Sequence, residues 1–456
     1  MTARLLPVLL VACCFGAAGC ASAPTGRGDV GGPDILIVSI DTLRADHLGC
    51  YGYFRDTSPT IDALAGEAIL FERAMAPMSM TLPAHTSLLT GTDPLEHGVL
   101  ANIKHGGRIF LPAPGLRSFA EIARDRGYRT AGFISAPPLA AATGISAGFD
   151  HYGEPQKARP AGDTNAEVFD WIDTLEENPF LLFVHYFDPH QPYDPPAGFD
   201  RYGGDAELER YISERGIPAT ASSFRGREFD TVDATNRYDG EIRYVDHELG
   251  LLIDRLKQAG RWDETVVLLV SDHGESIGDH GLMGHEYITR EQLQVLMMMR
   301  VPGVAPARID TPGSLVDALP TLIPLLDDDG WQEFLDQASG RDLLDASAPR
   351  EVFAQRADRE RPDFVGPAYT LLSGSWHYVY EPEKENRLFN WEEDPHELNN
   401  LIEQQADRAA RLEDSLLQRV GEYQTRGAEL RDDAEALGDV DPELYEKLRA
   451  LGYVDG

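Results

Sequence analysis

The chain has 456 residues, long enough for a large buried core and two domains. Its 76 acidic residues against 40 basic ones give a net charge of −36, a surface that repels nucleic acid and anionic lipid headgroups, so neither is expected as a partner. Four cysteines, two of them inside an N-terminal apolar segment, exclude a disulfide framework and leave stability to the core.

Arg4 precedes the apolar run Leu5 to Phe15, and small residues then lead to Ala17-Ala18-Gly19-Cys20. A charged, an apolar and a small-residue region in that order read as a secretory signal. The small-small-Cys ending resembles a bacterial lipoprotein signal, which implies removal of residues 1–19 and acylation of Cys20; an ordinary signal with an incidental cysteine is the alternative. Residues 20–32, rich in Ser, Pro and Gly, then read as a flexible tether. The expectation is an exported protein, periplasmic or anchored to the outer membrane of a Gram-negative-type bacterium through Cys20, with Cys50 as its one remaining thiol. No later apolar run is long enough to span a bilayer.

Ile35 to Ile40 is an almost unbroken apolar run, the pattern of a strand buried on both faces, and it ends at Asp41. Thr60 to Glu67 reads as a helix, Ala68 to Phe71 as a strand, 117–127 as a helix and Arg129 to Ser135 as a strand. Asn165 to Leu175 is a predicted helix; Phe180 to Phe187 is a second buried strand, leading into Asp188-Pro189-His190. Gly203 to Asp230 is polar and reads as an irregular, exposed insertion. Helical spacing runs through Thr235 to Lys257, and Thr265 to Val270 is a third buried strand before Ser271-Asp272-His273. Leu315 to Leu326 is a predicted helix. Strands alternating with helices predict an α/β fold with a mostly parallel sheet sandwiched by helices. From about residue 346 to 456 short strands (Glu351 to Ala354, Tyr369 to Leu372, Tyr378 to Tyr380) and two helices (Leu401 to Arg426, Pro442 to Leu451) predict a smaller C-terminal α+β domain beside a catalytic domain at 33–345.

Ligands of open α/β sheets bind beyond the carboxyl ends of the strands, where strand-ending aspartates from distant positions converge. Asp41, Asp188 and Asp272 are such residues. Thr81-Leu82-Pro83 opens a helix that Gly91 closes, so the Thr81 hydroxyl faces a helix N-terminus, either as a plain N-cap or as a nucleophile beside a bound anion. Asp41, Thr81, Asp272 and His273 together suit one divalent ion, Ca, Mg, Mn or Zn, which would activate the Thr81 hydroxyl. His190 is the candidate general acid. His285 is a substrate-oxygen contact or, with Asp188, a ligand of a second metal. His85 and Asn102 are candidate substrate contacts; for them and for His280, local hydrogen bonding is an equal alternative. His47, His97, His185 and His247 read as structural.

The order Asp41-Thr-Leu-Arg-Ala-Asp-His-Leu-Gly-Cys-Tyr-Gly52, the Thr81 to Gly91 stretch, Phe183-Val-His-Tyr-Phe-Asp-Pro-His190 and Ser271-Asp-His-Gly-Glu275 resemble the sulfatase family of the alkaline phosphatase superfamily. Leu315 to Leu322, Asp394 to Leu401 and the ending Leu448 to Tyr453 extend the resemblance over roughly residues 33–456. It implies an alkaline-phosphatase-like fold and hydrolysis of sulfate or phosphate esters. This chain departs from the family pattern at several positions. Thr81 stands where most sulfatases carry the Cys or Ser that becomes formylglycine, and Thr cannot be converted. His85 replaces the motif's Arg, and Thr42 a second acidic ligand. The family's Lys and His fall near Ser135 and Pro137. Thr-x-Pro-x-His is closer to the phosphodiesterases of the superfamily; their second-metal histidine falls at Pro192, which favours one metal. The expected function is therefore a sulfatase-like hydrolase without formylglycine, acting on a small-molecule, glycan or lipid ester. An envelope phosphoryl-headgroup transferase and a non-catalytic binding lipoprotein are the alternatives.

Overall fold

The strand Asp34–Ile40 (β1) sits at the middle of the main sheet and is buried at every position. In the computed structural model, residues 32–102, 108–110, 112–223, 226–326, 328–345, 347, 350–356, 366–382, 384–431 and 437–439 are described. The expected signal peptide, the tether up to residue 31 with Cys20, and the Pro442 to Leu451 helix lie outside the described residues.

The sheet adds β2 (Ile69–Phe71), β3 (Arg129–Ile134), β4 (His151–Gly153), β5 (Phe180–Tyr186), β6 (Thr265–Ser271), β7 (Met297–Arg300) and β8 (Ala307–Ile309), in the order β8-β2-β7-β6-β1-β5-β3-β4. Every neighbouring pair is parallel except those of β7, which runs against both β6 and β2. The helices that flank the sheets include α1 (Thr81–Thr90), α2 (Phe119–Asp125), α3 (Ala161–Ile172), α4 (Ala206–Glu214), α5 (Thr231–Gln258) and α6 (Ala406–Arg431).

Successive residues of a strand point to opposite faces, so a strand that is apolar throughout needs cover on both. Ile35, Ile37, Phe183 and Leu268 meet Leu82 and Leu88 of α1 and Phe119 and Ile122 of α2. Leu36, Val38, Val184 and Leu269 meet Val168 of α3 and Ile242, Leu249 and Leu252 of α5 on the other side. This is the sandwich the sequence predicts. Leu268 is fully buried at its centre. Leu268→Ala is expected to cost about 2–5 kcal/mol, lost transfer free energy plus the cavity left behind, read as a lower urea midpoint at unchanged slope.

Residues 203–230 depart from expectation: they are not an irregular insertion. Asp205 caps α4 through the Leu208 N–H (2.7 Å), and Leu208 and Tyr211, on one face at i, i+3, are buried with Tyr53. The segment then forms strands Thr220–Ser223 and Glu228–Asp230, the first pairing with Leu282–Gly284. α6 also starts later than the pattern suggests, because the Leu401 N–H is taken by the Leu388 carbonyl (2.8 Å).

Four consecutive antiparallel strands, β9 (Glu351–Arg356), β10 (Ala368–Ser373), β11 (Trp376–Tyr380) and β12 (Arg387–Asn390), make the smaller C-terminal sheet. Leu412, Leu416 and Val420 of α6 cover one face. The other face, through Val352, Leu372 and Phe389, packs on Met75, Ile288 and Leu293. The β9 edge reaches the segment before α1: the Gln355 N–H donates to the Pro77 carbonyl (2.9 Å) and its side-chain amide to Asp93 (3.1 Å). No described helix is long and apolar enough to cross a membrane.

Candidate active site

β1 and β6 are parallel and in register, Ile40 beside Ser271, so the residues that follow them, Asp41 and Asp272, leave the same sheet edge together. One ligand atom each from Asp41, Asp272 and His273 lies within 4.8 Å of the others, all three residues buried. The protein holds each one in a fixed orientation. The Thr42 and His273 backbone N–H groups donate to Asp272 Oδ1 (3.1 and 2.8 Å), leaving Oδ2 for the site. His273 turns Nδ1 to the Gly274 carbonyl (2.9 Å), so Nε2 presents its lone pair between the carboxylates, 3.5 Å from Asp272 and 4.0 Å from Asp41. Gly274 is required for close packing: a Cβ there would lie 2.0 Å from the Glu291 carbonyl.

Thr81 is the first residue of α1, and the N-cap position is Met80. The Thr81 hydroxyl is buried and makes no hydrogen bond to helix backbone, which rules against a mere cap; it faces Asp41. Six buried polar atoms without a partner gather here: Asp41 Oδ1, Thr42 Oγ1, Thr81 Oγ1, Asn102 Nδ2, Asp272 Oδ2 and His273 Nε2. Native proteins rarely leave such atoms unpaired, and a cation plus an anionic substrate would satisfy this set.

The electrostatics agree. Burial, then Asp272 and Glu275, push the Asp41 carboxyl well above its usual range. Burial pushes Asp272 up to about 6 and holds His273 down to about 3. Two carboxyls that resist ionisation beside a neutral imidazole describe a site lacking positive charge, which a divalent ion would supply. The donor set, two carboxylates, a hydroxyl and one imidazole, fits such an ion. Thr42 adds to the constraint. Its φ of 53° is unusual for a β-branched residue, and Tyr238 fixes it, its hydroxyl donating to the Thr42 carbonyl (2.7 Å) and accepting from the Arg44 N–H (2.8 Å).

His190 and His285 stand at the partly open side of the cluster, with His285 packed on His273 at 4.6 Å between ring centroids. Each turns Nδ1 to a carbonyl, Gln191 at 2.6 Å and Ser79 at 3.0 Å, so the two Nε2 atoms face each other at 3.3 Å; burial and His285 hold His190 down to about 3, so a proton between them needs an anion at the site to offset its charge. Asn102 accepts from the Leu82 N–H (2.8 Å) and keeps its amide donors beside Thr81.

Two sequence-based assignments need correction. His85 has both ring nitrogens engaged, by the Thr81 carbonyl (2.7 Å) and the Ser39 hydroxyl (2.8 Å), and offers none to a substrate. Asp188 lies past the end of β5, where the chain has turned; it accepts the Ala161 N–H at the start of α3 (2.8 Å), so it is not paired with His285 for a second metal. The sequence reading also missed His185. Ser135 donates its backbone N–H to His185 Nδ1 (3.4 Å), and Nε2–H donates to Asp41 Oδ2 (3.3 Å). That bond orients the Asp41 carboxylate, a candidate metal ligand. His185→Gln is therefore expected to weaken divalent-ion binding by about 10–100-fold with little change in fold, measured by metal titration.

Comparison with known proteins agrees with this geometry. Residues 33–328 match the family model described as Sulfatase. The chain is similar to the arylsulfatase of Clostridium perfringens (strain 13 / Type A), 25% identical with 81% of this chain and 90% of that protein covered. It is equally similar to the sulfatase YidJ of Escherichia coli (strain K12), 25% identical over 84% and 86%. Among solved structures it resembles the phosphonate monoester hydrolase of Agrobacterium radiobacter, with a TM-score of 0.66 and 21% identity, covering 87% of this chain and 96% of that one. The alkaline-phosphatase-like sheet, its ligand-bearing edge and the family match together place the chain in the sulfatase family, as a sulfatase-like ester hydrolase.

Proposed function

We propose that the protein is a divalent-metal-dependent hydrolase of sulfate or phosphate esters in which Thr81, not formylglycine, is the nucleophile. The observation that carries this reading is the set of unpaired buried atoms around Thr81, Asp41, Asp272 and His273. A divalent ion held by these residues supplies the charge that lowers the hydroxyl's pKa and offsets the ester's negative oxygens. Asp41, facing the Thr81 hydroxyl, is the nearest base. Thr81 Oγ attacks the sulfur or phosphorus centre, the ester C–O oxygen departs with its electron pair, and the His190–His285 pair hands it a proton. Water then releases the oxyanion from Thr81. Asn102 contributes an amide donor to the ester oxygens.

The activities of the relatives, an arylsulfatase and a phosphonate monoester hydrolase, support both sulfate esters and monoanionic phosphorus esters as substrates. The Thr-x-Pro-x-His pattern favours the phosphorus side. A panel of aryl sulfates, phosphate monoesters, phosphate diesters and phosphonate monoesters, assayed with each of Ca, Mg, Mn and Zn, tests this. Turnover of a diester or phosphonate is the expected result; no turnover in any combination overturns the enzymatic reading. The natural ester is a small molecule, a glycan or a lipid presented in the cell envelope, reached by export through residues 1–19 and by a lipid on Cys20. Mass spectrometry of the mature N-terminus tests that anchor.

A further inference from the structure

A second polar cavity, of about 130 Å³, lies where the loops after β1 and β6 meet the C-terminal segment at Pro395 and His396. Arg44, Arg215 and Arg290 line it, with His280, His396, Asp46, Asp279 and Glu291. The acids are largely committed within the wall. Arg44 pairs with Asp46 (2.9 Å) and with Asp279 (2.5 Å), and Arg215 adds a second pair to Asp46 (3.1 Å). Glu291 accepts from the Ser276 and Thr289 hydroxyls, with its other oxygen 3.7 Å from His280.

Three donor groups keep capacity to spare. Arg215 Nε is buried without a partner, although its guanidinium is stacked 3.6 Å over Tyr211. The half-buried Arg290 guanidinium donates to neutral oxygens, Gln294 (2.8 Å), Pro395 (3.0 Å) and Trp391 (3.4 Å). Among the described residues no carboxylate lies within ion-pair distance of it. The His396 ring makes no hydrogen bond among the described residues. Glu397, whose carboxylate accepts the Arg290 backbone N–H (3.1 Å), is the nearest negative charge but does not bond the guanidinium, so Arg290, the idle Arg215 Nε and the His396 ring leave donor capacity suited to an anion. Two guanidinium groups set around one space recognise tetrahedral oxygen atoms well. The volume, about 130 Å³, takes a free oxyanion with water.

We propose that this cavity is a second binding site, for a free tetrahedral oxyanion, sulfate or phosphate, separate from the catalytic centre. The proposal does not depend on the chemistry at Thr81. It is tested by equilibrium dialysis of labelled sulfate against the full-length protein carrying Asp272→Asn, which disables the catalytic centre. One saturable sulfate per chain is expected, displaced by phosphate but not by chloride at equal ionic strength. His396→Leu and Arg215→Gln are each expected to weaken it at least tenfold. Absence of a saturable site, equal displacement by chloride, or binding untouched by both variants overturns the proposal. Should Arg215→Gln fail to fold by circular dichroism, His396→Leu carries the test, since that ring supports no hydrogen bond in the wall.

Discussion

Thr81→Ala is expected to lower kcat/KM on the best ester of the panel by about a thousandfold or more, while leaving divalent-ion binding within roughly tenfold. The reasoning is geometric. The hydroxyl is buried, owes no hydrogen bond to the helix it begins, and faces Asp41. Removing it deletes the attacking atom but leaves Asp41, Asp272 and His273 to hold the ion. Thr81→Ser keeps the atom and is expected to retain turnover within about two orders of magnitude, the loss arising from a freer side chain. Wild-type turnover in the alanine variant would move the nucleophile elsewhere and leave the six unpaired atoms without explanation.

Removing the proposed divalent ion is the second large effect expected. Chelation is expected to abolish turnover and to destabilise the fold more at pH 8 than at pH 5. The sign follows from Asp272. Without a cation its carboxyl titrates at about 6 in the folded protein, against 3.8 for the ordinary group, so the folded state binds that proton more tightly than the unfolded one. Stability of the ion-free protein therefore falls as pH rises from about 4 to about 6 and stays low above that. Asp41, raised well above its usual range by burial and by Asp272, acts in the same direction. The ion reverses this at neutral pH, contributing about 2.7 kcal/mol at a hundredfold excess over its Kd, and must compete with protons as the pH falls through 6. Differential scanning calorimetry with and without chelator at the two pH values measures the gap. An equal Tm difference at both would mean that Asp41 and Asp272 do not bind the ion.

The sequence located Asp41, Asp272 and His273 because parallel strands deliver their ends to one edge, and a buried parallel strand is legible as an unbroken apolar run. Asp188 followed the same rule and failed, since two residues past Tyr186 suffice for the chain to turn toward α3. His85 was placed on the correct helix face, one turn from Thr81. What took its second nitrogen was Ser39, a partner 46 positions away whose approach depends on how α1 packs on β1. His185 left a faint signal. An imidazole inside an otherwise apolar strand must find partners for two nitrogens, yet only the register that sets His185 beside Ser39 reveals that Asp41 is one of them. In residues 203–230 the buried face of α4 is narrow, Leu208 and Tyr211 amid charged neighbours, so composition concealed a helix.

The bond from Gln355 to Pro77 has a consequence for how the chain can be shortened or synthesised. Pro77 and Met78, just before Thr81, are pinned by a strand that lies more than 270 positions later in the sequence. A fragment ending near residue 328, where the family match stops, would keep Asp41, Thr81, Asp272 and His273 yet lose the contact that holds the chain just ahead of Thr81. The smaller sheet is thus a late-arriving fastener, and a nascent chain gains its finished reactive centre only after residue 356 has emerged.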